Sequence, residues 1–114
     1  MTNWIVDYLE DWNREDVDAV LSWFTDDAVY EDTTIKHGAD GKDQLRRFVS
    51  TSFEKFPGMT FEFVHGVEDE HGFAMSWVMQ PIGLRGASIG LLRDGKISEQ
   101  RDYWDGKFFE APTL

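Results

Sequence analysis

The spacing of apolar residues along this chain changes character most at Pro57-Gly58, and that change limits the fold more than any composition figure does. Before it, apart from one short strand, apolar side chains recur at helical spacing; after it, they alternate. Trp4, Ile5, Tyr8, Leu9 and Trp12 make one amphipathic stripe, which Thr2 or Asn3 can cap. After the polar break Asn13-Arg14-Glu15, the positions Val17, Val20, Leu21 and Phe24 repeat the period, with Asp16 where a negative charge suits the start of a helix. A short strand from Ala28 to Asp32 then puts Tyr30 and Asp32 on one face and Val29 and Glu31 on the other. Thr33 to Gly41 reads as a loop. Leu45, Phe48, Val49, Ser52, Phe53 and Phe56 form the stripe of a third, longer helix that Pro57-Gly58 ends.

Past that point the spacing predicts four strands, Thr60 to Val67, Phe73 to Gln80, Leu84 to Arg93 and Lys96 to Trp104. The last two are joined by Asp94-Gly95, a strong hairpin signal, so the final strand pairs inside a sheet. Helices ahead of most of a meandering antiparallel sheet predict an α+β domain with the helices packed on one face of a curved sheet. The 114 residues are read as one domain, 1–114. Phe73, Met75, Trp77 and Met79 share a strand face without polar relief, so the helices or a second subunit must cover them, and a homodimer is expected. The tail from Phe108 to Leu114 reads as an extended arm.

Twenty-two acidic against 11 basic residues, a formal charge of -11, argue against nucleic acid and anionic membrane surfaces as partners. The chain has no Cys, which removes disulfides, thiolate nucleophiles and cysteine-held zinc. Asp7, Glu10 and Asp11 interrupt what would have to be an apolar leader, and no membrane-spanning run appears, so a cytoplasmic location is the default expectation. His37, His65 and His71 are scattered, and the acidic pairs Asp26-Asp27 and Asp69-Glu70 lack ligand spacing, so no metal is expected; His37, shortly after Asp32, is the one histidine of interest. Without a Gly-rich phosphate loop or a Ser-His-Asp pattern, chemistry without a cofactor is the natural inference.

The candidate chemistry lies on the last strand, where a period of two sets Asp102 beside Gln100 and Trp104. Enclosed among aromatic side chains, such a carboxyl loses hydration, becomes a weaker acid and can carry protons near neutral pH. Left open, it is an ordinary solvated side chain, and Asp32 could equally serve as a turn carboxylate capping Thr33-Thr34. Nine Phe, five Trp and three Tyr can build either a core or the lining of a pocket for an apolar ligand.

Three runs carry a family resemblance: Tyr8-Leu9-Glu10-Asp11-Trp12-Asn13, Phe24-Thr25-Asp26-Asp27-Ala28-Val29-Tyr30-Glu31-Asp32, and Gly95-Lys96-Ile97-Ser98-Glu99-Gln100-Arg101-Asp102-Tyr103-Trp104-Asp105. In this order the chain resembles the nuclear transport factor 2-like superfamily and, within it, the SnoaL-like group of polyketide cyclases, ketosteroid isomerases and limonene epoxide hydrolases. The resemblance implies a cone-shaped α+β barrel, with Tyr8, Asp32 and Asp102 facing a cavity. Asp32 falls where ketosteroid isomerases place their proton-shuttling carboxylate, and Tyr8 where they place a hydrogen-bonding phenol. Their second oxyanion donor would land near Ala87 or Ser88. Asp102 matches one acid of the epoxide hydrolases' Asp-Arg-Asp arrangement, Tyr30 with Asp32 matches their water-positioning pair, and their other two residues would lie around Val78 and Gln80. The implied protein is an acid-base enzyme of the isomerase or cyclase type acting on a small apolar carbonyl or polyketide-like molecule. Epoxide hydrolysis and passive ligand binding are the alternatives. The implied catalytic residues are Asp32, Asp102 and Tyr8, with Tyr30, Trp104, Gln100, Gln80 and Ser88 holding substrate.

Overall fold

A computed structural model describes residues 4–109, so the expected cap at Thr2 or Asn3 and the end of the expected terminal arm lie outside the described residues. Helix α1, Trp4–Asn13, buries Ile5, Tyr8, Leu9 and Trp12, the stripe that the spacing predicts. Asp16 caps α2, Val17–Leu21, by accepting a hydrogen bond from the Ala19 amide at 3.1 Å. Phe24 does not continue this helix. It opens strand β1, Phe24–Asp32, because it pairs with Ile97 of the last strand, whose amide donates to the Trp23 carbonyl at 2.8 Å. Sheet pairing here outweighs the helical spacing of an apolar residue.

The expected loop after Asp32 contains a further strand, β2, His37–Asp40, which folds back antiparallel on β1 with Asp32 opposite His37. Helix α3, Lys42–Lys55, follows, and then β3, Thr60–Glu68, β4, Gly72–Gln80, β5, Leu84–Arg93, and β6, Lys96–Trp104. A 3-10 turn, Gly106–Phe109, takes up the first two residues of the expected arm. Asp94 and Gly95 both have positive φ (52° and 78°), as a tight hairpin turn between β5 and β6 requires.

The six strands run in the order β2-β1-β6-β5-β4-β3. Every pairing is antiparallel except β1 with β6, where chain-distant strands lie parallel. The sheet curls without closing and its hollow side holds the helices, with α1 against β3 and α3 against β1 and β2. Asn13, at the end of α1, bonds the backbone of Phe61 in both directions (3.1 and 2.7 Å), as another strand would, and fastens the helix to edge strand β3. Phe73, Met75 and Trp77 are buried within the chain, beneath helix α1 and its neighbours. No described helix is long and apolar enough to cross a membrane.

Candidate active site

Between the helices and the hollow face of the sheet lies a cavity of about 490 Å³. Its walls are mostly rings and thioethers, among them Trp12, Phe48, Phe61 and Met75, and Ile35, Phe56, Met59 and Ile82 also line it. Tyr8 of α1 and Ser52 of α3 add hydroxyls, and the remaining polar groups come from three adjacent strands. Register explains how they meet: on β1 and β6, Tyr30 is the partner of Gln100 and Asp32 the partner of Asp102, while on β5 Ser88 is the partner of Asp102. Paired residues in neighbouring strands project to the same face, so the two carboxylates stand side by side across a strand spacing of about 4.8 Å.

Their surroundings differ. Asp102 Oδ1 accepts from Ser88 Oγ at 2.6 Å and from Gln100 Nε2 at 2.9 Å, and its Oδ2 bonds the Tyr30 hydroxyl. Asp32 meets only N–H groups, the Trp104 indole at 2.9 and 3.0 Å and the Thr34 amide at 3.2 Å. Burial pushes the Asp102 carboxyl above its ordinary value; hydrogen bonds from Ser88, Tyr30 and Gln100 pull it back, and the Asp32 charge adds to the rise. Burial also holds the Tyr8 and Tyr30 phenols well above theirs, with Asp102 contributing, so both remain neutral O–H groups through the physiological range.

A second tier holds the first. The Trp77 indole donates to Ser88 Oγ at 3.0 Å, leaving the serine hydrogen for Asp102. Tyr8 donates to Gln100 Oε1 at 2.8 Å, which orients that amide with its nitrogen toward Asp102. The first chain begins at an indole, a group that can only donate, and the second runs onto an amide oxygen, which can only accept, so the direction of these bonds is fixed.

Asp32, Asp102, Tyr30, Gln100, Ser88 and Trp104 therefore converge on one hollow. Tyr8 lines it too: the residue is wholly buried and its hydroxyl donates to Gln100, so it also supports the network. Gln80 does not join. Alternation along β4 turns Met75, Trp77 and Met79 inward and Gln80 away, where its amide reaches Glu62 at 3.2 Å. Arg101 also faces away, pairing with Glu31 and Glu99, and so leaves Asp102 without a neutralising cation. His37 stacks on Phe48 with ring centres 5.6 Å apart, outside the lining. Among the described residues no group of three His, Cys, Asp or Glu side chains is placed to hold a metal.

Spacing groups Trp77 with the apolar face of β4 but does not single out Gly86 and Gly90 on the facing strand. On the hollow face of β5 these glycines leave room: an added Cβ at Gly86 would lie 2.5 Å from Trp77 Cζ2, and one at Gly90 2.5 Å from Phe73 Cε1. The signal available in the sequence is the small set Gly86, Ser88 and Gly90 alternating on a strand beside the large set Phe73, Met75 and Trp77.

A curled sheet over N-terminal helices, enclosing an apolar hollow with acids at its floor, defines the cone-fold class of small α+β proteins. The chain belongs to the SnoaL-like domain family, whose model matches residues 5–100. It is similar to the solved structure of a SnoaL-like protein of unknown function from Burkholderia thailandensis, with a TM-score of 0.80 and 16% identity over 90% of this chain and 92% of that one. A protein with the ketosteroid isomerase-like fold from Catenulispora acidiphila, solved with trimethylamine, superposes with a TM-score of 0.81 and 15% identity over 89% and 84% of the two chains. A candidate polyketide cyclase from Sinorhizobium meliloti gives 0.75 and 18% over 89% and 94%. Comparison with curated proteins finds no match.

Proposed function

We propose that the chain is a cofactor-independent acid-base enzyme of the isomerase or cyclase type, acting on a small apolar carbonyl compound held in the cone. Asp32 takes a proton from the carbon next to the carbonyl. The enolate oxygen is met by the Tyr30–Asp102 pair with Asp102 protonated. Return of the proton at the far end of a conjugated dienolate gives isomerisation of an unsaturated ketone, and attack of the enolate carbon on a second carbonyl of the same molecule gives ring closure, the new alkoxide taking up the proton that Asp32 holds. General acid-base assistance of this kind contributes about 10² to 10⁴ in rate. The observation that carries the reading is the pairing of Asp32 with Asp102 on adjacent strands, one meeting N–H donors and the other hydroxyls and an amide. The same reading places a second copy of the chain against the outer face of the sheet, where Ile89, Leu91 and Tyr103 are exposed.

Proton abstraction can be followed without knowing the substrate. A panel of apolar cyclic ketones in D₂O, watched by NMR for protein-dependent deuterium uptake next to the carbonyl, should show members that exchange. Asp32→Asn should slow that exchange by about 10² or more. Exchange that survives both Asp32→Asn and Asp102→Asn sinks the proposal. Ketones that bind without exchanging favour a passive binding domain, and uptake of labelled oxygen from water into a diol favours epoxide hydrolysis.

A further inference from the structure

The hydrogen-bond donors around Asp32 and Asp102 are engaged within the protein. The Trp77 indole goes to Ser88, Ser88 to Asp102, and the Tyr8 hydroxyl to Gln100. Both amide hydrogens of Gln100 go to Asp102 and Tyr30, and the Trp104 indole goes to Asp32. Higher on the wall, Ser52 Oγ donates to the Phe48 carbonyl at 2.9 Å. With Asp102 ionised, the Tyr30 hydroxyl is directed at Oδ2 as well. Acceptors, by contrast, are in excess, since two carboxylates present about eight lone-pair sites between them and the bonds above fill only part of these. Among the described residues no Lys, Arg or His lines the cavity.

A ligand entering this floor must bring its own donors. We infer that the cavity also takes a protonated amine carried on an apolar body, seated on Asp32 and Asp102, and that a carbonyl ligand competes for the place only when Asp102 holds a proton. The wall includes the rings of Tyr30, Trp77, Trp104 and Phe48, and aromatic rings attract ammonium groups most strongly where water is displaced. Among lining residues, the titratable side chains are Tyr8 on α1, Asp32 and Tyr30 on β1 and Asp102 on β6, while α3, β3, β4 and β5 bring none. His37 on β2 lies behind Phe48. Protonation of Asp102 reverses the polarity of the floor. The new O–H can donate to Tyr30, whose own hydrogen is then free for a ligand oxygen.

Opposite proton traffic follows from linkage: seating the amine expels a proton from Asp102, and seating the ketone takes one up. The inference rests on the proposed reading for its choice of cavity and of Asp102, but binding needs no turnover. Titration calorimetry of 2-aminotetralin and 2-tetralone, each in two buffers of different ionisation enthalpy and across a pH series, reads the sign directly. The amine should release protons and gain about tenfold in affinity for each unit that pH rises toward the Asp102 midpoint; the ketone should take protons up and lose affinity as pH rises. Asp102→Asn should abolish both exchanges, and Asp32→Asn should weaken the amine while leaving ketone uptake in place. An amine that does not bind, the same sign for both ligands, or exchange that survives Asp102→Asn overturns the inference. Opposite signs without deuterium exchange at carbon would leave it standing on a passive pocket, whereas exchange at carbon without opposite signs would leave only the enzyme.

Discussion

Gly86→Ala tests whether the Trp77 ring is held as tightly as the hydrogen-bond network needs. An alanine Cβ at this position would sit 2.5 Å from Trp77 Cζ2 and 2.7 Å from Cζ3, and closer still to Cη2. Carbon atoms settle at about 3.5 to 4.0 Å, so the ring must withdraw by roughly 1 Å. It has little room, being 5% exposed and in edge contact with Phe61 at 5.0 Å between centres. Overpacking of this kind costs about 1–3 kcal/mol. The same movement stretches the 3.0 Å bond from the indole to Ser88, which contributes about 1 kcal/mol. The expected loss is therefore about 2–4 kcal/mol, a fall in Tm of roughly 8–16 °C for a domain of this size. Thermal and urea unfolding of Gly86→Ala, Trp77→Leu and the double variant, followed by circular dichroism, measure it. Trimming the indole should recover at least about 1 kcal/mol of the alanine penalty, because the two positions touch. A Gly86→Ala protein within about 0.5 kcal/mol of the parent, or strictly additive effects, would show that the ring is not wedged there and refute the reasoning.

Two further outcomes can be checked on the same material. Asp102 binds its proton more tightly folded than unfolded, so its contribution to stability is present below the ordinary carboxylate value and is lost as pH rises through the raised folded value; Asp102→Asn should match or exceed the parent's Tm at about pH 7, and the gap should close toward about pH 4. On the outer face of the sheet, Ile89→Glu with Leu91→Glu should convert a dimer to a monomer in light scattering without altering ligand binding, and a parent protein that runs as a monomer removes the dimer from the proposal.

Local patterns in the sequence reach the helices, the four C-terminal strands and the inward face of β6, because each depends on neighbours within a few positions. Strand β2 escaped because Gly38 sits in it where a Cβ would lie 2.6 Å from the Tyr30 carbonyl oxygen, and four residues are too few to show alternation. Phe24 was drawn into the wrong element for a different reason: its partner Ile97 is far away in the chain. The same parallel contact between β1 and β6 sets Asp32 beside Asp102, a juxtaposition that no local spacing contains. Resemblance to a family supplied it, and also put Gln80 in the site, which the alternation of β4 alone argues against once Met79 is read as inward.

Which carboxylate holds the proton follows from the kind of partner each one has. The indole of Trp104 and the amide of Thr34 donate to Asp32 and have no lone pair with which to accept from it. Hydroxyl groups are different. Tyr30 can donate to Asp102 or accept from it by turning one hydrogen, with no heavy atom moved, so both protonation states of Asp102 find a satisfied partner. The two donors fixed on Oδ1 by the Trp77 and Tyr8 chains confine that exchange to Oδ2, the oxygen shared with Tyr30. Burial and the neighbouring Asp32 charge outweigh the three hydrogen bonds that favour ionised Asp102. Asp102 is thus placed to pass a single proton back and forth through Oδ2, while Asp32 beside it meets only N–H donors.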